Sequence, residues 1–402
     1  MNKGWQTKRL GDLVTRLTNG FVGPTRNIYH ESGIPYLLAR HVRNNKLLFD
    51  GRTFITDEFY RKNKKSMLKA GDVLLVQSGH IGHSAVVSNE HEGHNCHAMI
   101  VISPVKDTIT GPYLSLFFNS PDMQRVFEEI RSGSTVPHLT CGAVKELQIP
   151  VPPMAEQQRI VGLLDEAFEG LATAKANAET NLQNARSLFE SHLQSVYTQR
   201  GPGWVEKMLG EVSQFKNGLN YNKSSGGQTL PVVGVADFQD NYFVPLSELQ
   251  SATIDGDLAE NYAIQPNDIL TVRSNGSKHL VGRCMLVGDV EGVVSYSGFI
   301  IRIRFDAKAI FPQFLLHFMK CQVTRDILTA GGGGANINNI NQEKLSTLLV
   351  PLPPYKTQVK LAAALDDMRE KTQRLARIYE QKLAALEALR KSLLHQAFTG
   401  QF

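Results

Sequence analysis

Apolar residues recur along the chain with two different spacings. Short β-branched runs, broken by Gly, Pro and Asn, predict strands over much of residues 1–150 and again over 201–350. The clearest runs cover residues 72–76, 84–87, 100–105, 231–235 and 300–305. Helical spacing predicts helices over 112–131 and 312–329. Each strand-rich region ends at a pair of prolines, which favours neither a helix interior nor a central strand.

After each proline pair the spacing changes to alternating steps of three and four residues, which is typical of a coiled coil. In the first stretch the apolar positions are Ile160, Leu163, Leu164, Ala167, Leu171, Ala174, Ala178, Leu182, Ala185, Leu188, Phe189, Leu193 and Val196. In the second they are Leu361, Ala364, Leu365, Met368, Leu375, Ile378, Leu383, Leu386, Leu389, Leu393 and Ala397. Each predicted helix has ~40 residues and a length of ~60 Å. We therefore expect the two helices to pack on each other, antiparallel, so that the chain ends meet in a near-circular organisation; packing of each stripe on its own globular region is the alternative.

The chain consists of two copies of one unit. Residues 4–12 (GWQTKRLGD) match residues 203–211 (GWVEKMLGE), and further matches follow in the same order with an offset between 196 and 201. They include Asp72-Val73-Leu74 with Asp268-Ile269-Leu270, Gly82 with Gly282, Pro112 with Pro312, Pro150-Val151-Pro152-Pro153 with Pro351-Leu352-Pro353-Pro354, and Gln157 with Gln358. Copy one is residues 1–200 and copy two is residues 201–402. The predicted fold class is α+β, with a strand-rich head at 1–153, a helix at 154–200, a second head at 201–354 and a helix at 355–402.

Composition narrows the class of protein. The 402 residues carry a net charge of +5 and four cysteines without a Cys-x-x-Cys pair, so we expect no disulfide framework and a reducing cytoplasm. The first residues lack an apolar signal core, and no apolar run reaches the ~18–20 residues of a membrane span. We therefore expect a cytoplasmic protein without membrane contact.

Catalytic and cofactor motifs are missing from the sequence. The glycine run 331–334 is not followed by the lysine of a phosphate-binding loop. Leu352-Pro353-Pro354-Tyr355 lacks the polar first side chain with which amino-methyltransferases bind the target amine. A histidine cluster (His80, His83, His91, His94, His97 with Cys96) has spacing that could serve zinc, but copy two does not repeat it. We predict a protein that is not an enzyme and holds no metal or cofactor.

Charge distribution points to nucleic acid. Residues 1–150 carry 18 Lys and Arg against 13 Asp and Glu, whereas residues 201–350 carry 12 against 14. Basic side chains beside Asn and His combine phosphate anchoring with base recognition; a solvated basic loop is the alternative. The candidate DNA-binding residues in head one are Arg40, His41, Arg43, Asn44, Asn45, Lys46, Lys62, Lys64, Lys65, Gln77, Ser78 and His80. Those in head two are Asp237, Gln239, Asn241, Arg273, Ser274, Asn275, Lys278, Asn336 and Asn338.

Three repeated motifs carry a resemblance over the whole chain. Gly-Trp-x-x-x-x-Leu-Gly-Asp/Glu opens each head, Pro-x-Pro-Pro-x-x-x-Gln begins each helix, and Leu-x-x-x-Tyr/Phe-Thr closes it at Leu193, Tyr197 and Thr198 and at Leu394, Phe398 and Thr399. The chain resembles the specificity subunit of type I restriction-modification systems. It departs from the family at Lys356-Thr357-Gln358, where the usual Glu-Gln pair is kept only in copy one, at Glu156-Gln157.

The resemblance implies a division of labour. Each head would be a target recognition domain for one half of a bipartite site in double-stranded DNA, and the helices would set the spacer. The helices would also dock methyltransferase subunits, commonly two, and a translocating restriction subunit would join them. S-adenosylmethionine, ATP and Mg²⁺ would belong to those partner subunits. Two alternatives remain open at this point: an interaction scaffold that does not bind DNA, and a stand-alone DNA methyltransferase or nuclease with unrecognised motifs.

Overall fold

The chain folds into two compact units. The computed structural model describes residues 4–23, 28–43, 45–133, 137–221, 225–277, 279–330 and 339–402. Unit 1 comprises Met1–Glu179 together with Gln381–Phe402, and unit 2 comprises Thr180–Glu380. Unit 1 therefore contains both ends of the chain, and the side chains of Trp5 and Phe402 pack against the same core. The near-circular organisation expected from the sequence is confirmed.

Unit 1 contains eleven short strands among its described residues. Its strands are β1 (Gln6–Arg9), β2 (Val14–Asn19), β3 (Ile34–Leu37), β4 (Val42–Arg43), β5 (Lys46–Leu47), β6 (Phe54–Ile55), β7 (Val73–Val76), β8 (Ser84–Val86), β9 (Asn95–Cys96), β10 (Met99–Pro104) and β11 (Gln148–Val151). Its helices are α1 (Asp57–Lys62), α2 (Gly111–Phe118), α3 (Pro121–Ile130), α4 (Cys141–Lys145) and the first part of α5 (Met154–Thr198).

Unit 2 contains nine short strands among its described residues. Its strands are β12 (Val205–Met208), β13 (Ser213–Asn217), β14 (Thr229–Val233), β15 (Ser251–Thr253), β16 (Ile269–Val272), β17 (Cys284–Leu286), β18 (Ser295–Tyr296), β19 (Ile300–Phe305) and β20 (Leu349–Leu352). Its helices are the last part of α5, α6 (Leu209–Val212), α7 (Pro312–Lys320), α8 (Gln322–Thr329), α9 (Gln342–Ser346) and the first part of α10 (Tyr355–Thr399), whose last part belongs to unit 1.

The same sheet topology occurs in both units. Unit 1 has an antiparallel sheet in the order β2-β10-β7-β8, a mixed sheet β6-β3-β9 and an antiparallel pair β1-β11. Unit 2 has the corresponding sheets β13-β19-β16-β17 and β15-β14-β18 and the pair β12-β20. In both mixed sheets the central strand pairs antiparallel with one neighbour and parallel with the other. The duplication predicted from the sequence is therefore a duplication of fold.

The four-stranded sheet of each unit is buried on both faces, which explains its continuous apolar strands. In β7, Val73 and Leu75 enter one apolar core while Leu74 and Val76 enter another. The first core also contains α2 and the helix residues Ile160 and Leu164. Unit 2 repeats the arrangement, with Ile269 of β16 on the helical side and Leu270 on the other.

A buried carboxylate explains the repeated Asp before these strands. Asp72 is 2% exposed and accepts hydrogen bonds from the Lys69 backbone N–H at 2.8 Å, from the Ser103 hydroxyl at 2.6 Å and from Arg16. Asp268, also 2% exposed, accepts two bonds of 2.7 Å from Arg304. Buried carboxylates are tolerated only when they are paired in this way, so each head carries an internal ion pair beside its central strand.

The two long helices run antiparallel, as predicted. In unit 1, Arg159 near the start of α5 donates to the Phe402 carbonyl at 3.4 Å, and Arg390 lies over the Phe168 ring at 4.9 Å. As the residue number increases along α5, the number of the facing α10 residue decreases, so the two helices are antiparallel. In unit 2, Arg186 of α5 forms an ion pair with Glu380 of α10 at 2.7 Å.

The stripe prediction needs one correction. Part of each stripe packs into a head as well as onto the other helix, because Phe189, Leu193 and Tyr197 of α5 belong to the core of unit 2. Other stripe positions face outward, among them Leu163 and Leu188. Spacing alone does not distinguish these orientations, since a single helix face of 45 residues contacts a head, a helix and solvent in turn.

One further sequence expectation is corrected. Each predicted helix over 112–131 and 312–329 is two helices, because the chain leaves the helical conformation at Ser120 in copy one and at Cys321 in copy two. The first proline of each repeated motif, Pro150 or Pro351, lies inside a strand. These strands belong to two-stranded ladders, where an edge position tolerates a missing N–H. None of the described helices is long and apolar enough to cross a membrane.

Candidate nucleic-acid interface

A short β-hairpin in unit 1 presents the basic residues singled out from the sequence. Strands β4 and β5 pair Val42 with Leu47 and Arg43 with Lys46. Asn45 has a φ of 63°, which asparagine adopts more readily than most residues in tight hairpin turns. Val42 is buried in the core, whereas Arg43 and Lys46 are exposed. The buried Val42 side chain therefore attaches the hairpin to the core, and the Arg43 and Lys46 side chains face solvent.

The residues before this hairpin are held by Asp50. Arg40 donates from Nε to Asp50 Oδ2 at 3.0 Å, and His41 Nε2 lies 3.1 Å from Asp50 Oδ1. The hydrogen bond from Arg40 lowers the pKa of Asp50 to about 2. His41 is 1% exposed, and its Nδ1 accepts the Leu38 backbone N–H at 3.1 Å. The structure thus gives His41 contacts inside the loop, and its contact with DNA stays a prediction.

Three predicted lysines lie next to this loop in sequence. Lys62 ends α1 and donates to Glu58 at 2.5 Å. Lys64 and Lys65 lie in the 3-10 turn Lys64–Ser66 that follows α1. Lysines of this kind suit contacts with phosphate, which position a protein on DNA without recognising its sequence.

A second candidate segment follows the central strand β7. The Gln77 carbonyl accepts the Leu139 backbone N–H at 2.9 Å, and Ser78 forms a β-bridge with His138. His80 is exposed, and its ring centroid lies 5.8 Å from that of His83. Copy two places Arg273 and Ser274 directly after the equivalent strand β16, where Ser274 forms a bridge with Asn339. The same segment is thus held in the same way in both units.

The histidines do not converge on a metal site. His91 and His94 lie together, with ring centroids 5.7 Å apart, and His91 Nδ1 is 2.8 Å from the Ser88 hydroxyl. Burial raises the pKa of the Cys96 thiol to about 12, which disfavours the thiolate that binds metals. Among the described residues, no group of three His, Cys, Asp or Glu side chains could hold a metal ion.

In unit 2 the predicted loop 237–241 is stabilised by its own polar side chains. Asp237 Oδ2 accepts the Gly234 N–H at 2.7 Å, Gln239 donates to the Ala236 carbonyl at 3.1 Å, and Asn241 donates to the Asp237 carbonyl at 2.9 Å. Arg283 binds the Gln239 carbonyl and lies 3.2 Å from the fully exposed Asp240 carboxylate. The loop is therefore a shaped platform that presents the Asp240 carboxylate to solvent.

The remaining candidates of head two are partly placed. Arg273 is half-buried and its carbonyl accepts the Ile340 N–H at 2.8 Å, and Asn275 accepts the Ser277 N–H at 2.8 Å. Four predicted residues fall outside the described residues, namely Asn44, Lys278, Asn336 and Asn338. The DNA contacts of the described candidates stay predictions.

Two anchors between head and helix were not foreseen. Gln157 is fully buried: its amide oxygen accepts the Thr110 N–H at 2.9 Å, and its amide nitrogen donates to the carbonyls of Thr108 at 2.9 Å and Pro152 at 3.0 Å. Gln358 repeats this, accepting from Phe311 at 2.8 Å and donating to Pro353 at 2.9 Å. The repeated glutamine in the helix-start motif was the available signal.

The closing motif forms the second anchor. The Phe398 ring packs edge-on against Tyr113 and Phe117, with centroids 5.3 and 5.2 Å away. In unit 2, the Tyr197 ring lies 5.1 Å from Phe314, and its hydroxyl donates to the Phe314 carbonyl at 2.7 Å. Each head is therefore bound by the start of the helix of its own copy and by the end of the helix of the other copy.

Comparison with known proteins decides the family. The family model described as the type I restriction modification DNA specificity domain matches the chain twice, over residues 2–181 and 202–387. The chain belongs to the type I restriction-modification DNA specificity family.

Relatives and solved structures agree with this placement. The specificity subunit of the type I restriction enzyme StySPI from Salmonella potsdam is 24% identical over 426 residues, covering 99% of this chain and 89% of that protein. A chain from a study of complex assembly and conformational transition of the type I R-M system superposes with a TM-score of 0.77 at 20% identity, covering 99% of this chain and 98% of the other. The HsdS subunit from Thermoanaerobacter tengcongensis gives 0.63 at 19% identity, covering 100% and 98%. The long-helix, two-head fold is thus the fold of the family.

Proposed function

We propose that this specificity subunit recognises a bipartite target in double-stranded DNA, with one half-site for each unit. The observation that carries the proposal is a duplicated scaffold with different surface loops. Arg43 and Lys46 project from the hairpin of unit 1, whereas Asp240 and the amides of Gln239 and Asn241 occupy the loop of unit 2. Arginine suits guanine edges, amides suit adenine and carboxylates suit cytosine. Different side chains on one scaffold would select different half-sites.

The helices are proposed to dock methyltransferase subunits. Leu188 on α5 and Leu389 on α10 are 50% and 48% exposed, although each lies within an apolar stripe. They occupy equivalent positions, 201 residues apart in the two copies. Their recurrence at the same position in both copies is the feature that supports docking there. Two equivalent sites support two methyltransferase subunits, and a restriction and translocation subunit would join the assembly.

Catalysis is proposed to lie with those partners. The described part of the chain lacks a metal-binding cluster, and the sequence lacks a phosphate-binding loop. S-adenosylmethionine, ATP and Mg²⁺ would bind to the partner subunits. The chain itself would contribute recognition, and the lengths of α5 and α10 would set the spacer between half-sites.

Binding to duplex variants tests the proposal. With the methyltransferase complex present, Arg43→Ala should reduce discrimination at one base pair of one half-site by about 5- to 150-fold, corresponding to ~1–3 kcal/mol. Lys64→Ala is the matched control: it should weaken all duplexes alike and lower the salt dependence.

The alternatives give different outcomes. Absence of any sequence-specific binding by the complex would favour an interaction scaffold that does not bind DNA. Methylation or cleavage of DNA by the purified chain alone would favour a stand-alone enzyme. A change in both half-sites on Arg43→Ala would contradict recognition of one half-site by each unit.

A further inference from the structure

Unit 2 contains a cavity of about 450 Å³ between its head and its two helix segments. Residues of α5, of α10 and of the loop around Tyr242 form its walls. The volume lies within the range of small-molecule sites. Its charged lining is dominated by five basic side chains, which are Arg186, Arg283, Lys320, Arg325 and Arg369.

Two of these cations have no acidic partner. Among the described residues, no carboxylate oxygen lies within 4.0 Å of Lys320 Nζ or of the Arg325 guanidinium nitrogens. Lys320 donates to the Asn241 carbonyl at 2.9 Å and lies 4.2 Å from the centre of the Tyr242 ring. Arg325 donates to the His279 carbonyl at 3.0 Å. Uncharged acceptors compensate only part of the cost of burying a charge.

The other basic side chains are paired at the cavity edge. Arg186 pairs with Glu380 at 2.7 Å, Arg283 with Asp240 at 3.2 Å, and Arg369 with Asp366 at 3.1 Å. Even so, Nε of Arg325 and Nε of Arg369 are buried without a hydrogen-bond partner among the described residues. Each of these buried N–H groups therefore carries a desolvation cost that no described acceptor offsets.

The acids of the cavity wall do not balance the cations. They are Asp240 and Glu190. Asp240 is fully exposed at the rim and already pairs with Arg283. Burial raises the pKa of Glu190, and the charges of Arg325 and Lys320 offset only part of this shift. Burial also lowers the pKa of Lys320 to about 8, and the more distant Asp240 carboxylate offsets only part of this shift.

Copy one provides an internal comparison. Thr110 and Phe311 bind the equivalent glutamines Gln157 and Gln358, which sets an offset of 201 residues for these helices. At the positions equivalent to Arg283, Lys320, Arg325 and Arg369, copy one carries His83, Asn119, Gln124 and Phe168. The polar pair is satisfied locally: Asn119 bonds to Ser84 and Ser115, and Gln124 donates to the Gly82 carbonyl at 3.0 Å. The scaffold therefore does not require cations at these positions, and their accumulation in copy two needs another reason.

We propose that the unit 2 cavity binds a phosphate-bearing small molecule, with Lys320, Arg325 and Arg369 as its ligands. Arginine pairs with phosphate oxygens through parallel N–H donors, and lysine adds a point charge. The cluster of basic side chains and the volume of about 450 Å³ match a ligand larger than one phosphate group. The site goes beyond DNA recognition and does not depend on it.

Binding of inorganic pyrophosphate to the full chain tests the proposal. Isothermal titration is performed without DNA, with ionic strength balanced by sodium chloride. We expect saturable binding with one site per chain. Lys320→Asn combined with Arg325→Gln installs the residues of copy one and should weaken binding at least tenfold. Arg374→Gln, which removes an exposed charge of α10 outside the cavity lining, should change the affinity less than twofold.

A second variant guards against misfolding. Arg325→Lys keeps the charge but loses the paired donors, and it should weaken pyrophosphate binding at least threefold while circular dichroism stays unchanged. Equal affinity of all variants, or no heat beyond that of sodium chloride, would overturn the proposal. So would a result in which pyrophosphate does not bind but the double variant weakens duplex binding, since the cavity would then receive a DNA backbone phosphate. A Lys320→Asn/Arg325→Gln variant that loses pyrophosphate binding but keeps DNA recognition would show that the cavity acts independently of the proposed function. An Arg43→Ala variant that loses DNA recognition but keeps pyrophosphate binding would show the same independence.

Discussion

The buried glutamine at the start of each long helix gives the sharpest stability prediction. Gln157→Ala removes three hydrogen bonds of 2.9, 2.9 and 3.0 Å and leaves the Thr110 N–H and two carbonyls without their partner. At ~0.5–1.5 kcal/mol for each bond, and more for a donor left unpaired, the free energy of unfolding of unit 1 should fall by ~3 kcal/mol. Gln158 is the matched control, because it is the next residue of the same helix and is exposed.

Tryptophan fluorescence resolves the two units in this assay. The chain has two tryptophans, and Trp5 packs against the core of unit 1 while Trp204 packs against that of unit 2. In a Trp204→Phe background, urea unfolding followed by Trp5 should show the Gln157→Ala midpoint lowered by ~1 M, taking a slope of ~3 kcal/mol per molar urea. Gln158→Ala should shift it by less than ~0.2 M, since exposed substitutions change stability by ~0.5 kcal/mol or less. Equal midpoints for the two variants would refute the anchoring role of Gln157.

Three other predictions address the second anchor, a buried charge and the helix lengths. Tyr197→Phe removes the hydrogen bond from the Tyr197 hydroxyl to the Phe314 carbonyl. The free energy of unfolding of unit 2, followed by Trp204 fluorescence, should therefore fall by ~1 kcal/mol, while that of unit 1, followed by Trp5, stays unchanged. Burial lowers the pKa of Lys320 to about 8, so the unfolded chain holds this proton more tightly and the free energy of unfolding gains a contribution that rises between pH 8 and 10. Wild type should therefore be less stable than Lys320→Asn at pH 7 and approach it by pH 10; a difference independent of pH would contradict the burial of this charge. Removing four residues from both α5 and α10 shortens each helix by ~6 Å, nearly two base pairs, and should change the preferred spacer in a methylation assay; an unchanged spacer would contradict the proposed role of the helices.

Repetition made most of the fold predictable from one sequence. Two copies with matching motifs indicated two heads and two helices, and the structure repeats the same sheet order in both units. The fully apolar strand β7 could not reveal that it separates two cores, because burial on both faces removes the alternation that indicates orientation. Sheet order likewise depends on contacts between residues distant in sequence, such as those of β2 with β10.

The candidate site was less predictable, since residue type does not indicate whether a polar side chain faces solvent. His41 and Arg43 are two residues apart in a basic segment, yet His41 is buried against Asp50 and Arg43 is exposed. Asn241 and Gln239 have the donors that recognise adenine, but both bond to the backbone of their own loop. The cavity of unit 2 is not predictable from the sequence for a similar reason: its cations come from α5, α7, α8, α10 and the turn before β17, which only the fold brings together.

Sequencing of methylated sites tests the central claim most directly. The chain is expressed with the proposed methyltransferase subunits in a host without other adenine methylation, and genomic methylation is mapped at single-base resolution. The account predicts one bipartite motif with a fixed non-specific spacer, and Arg43→Ala should relax a position in only one of its halves. A continuous motif, or a variant that alters both halves at once, would contradict recognition of one half-site by each unit.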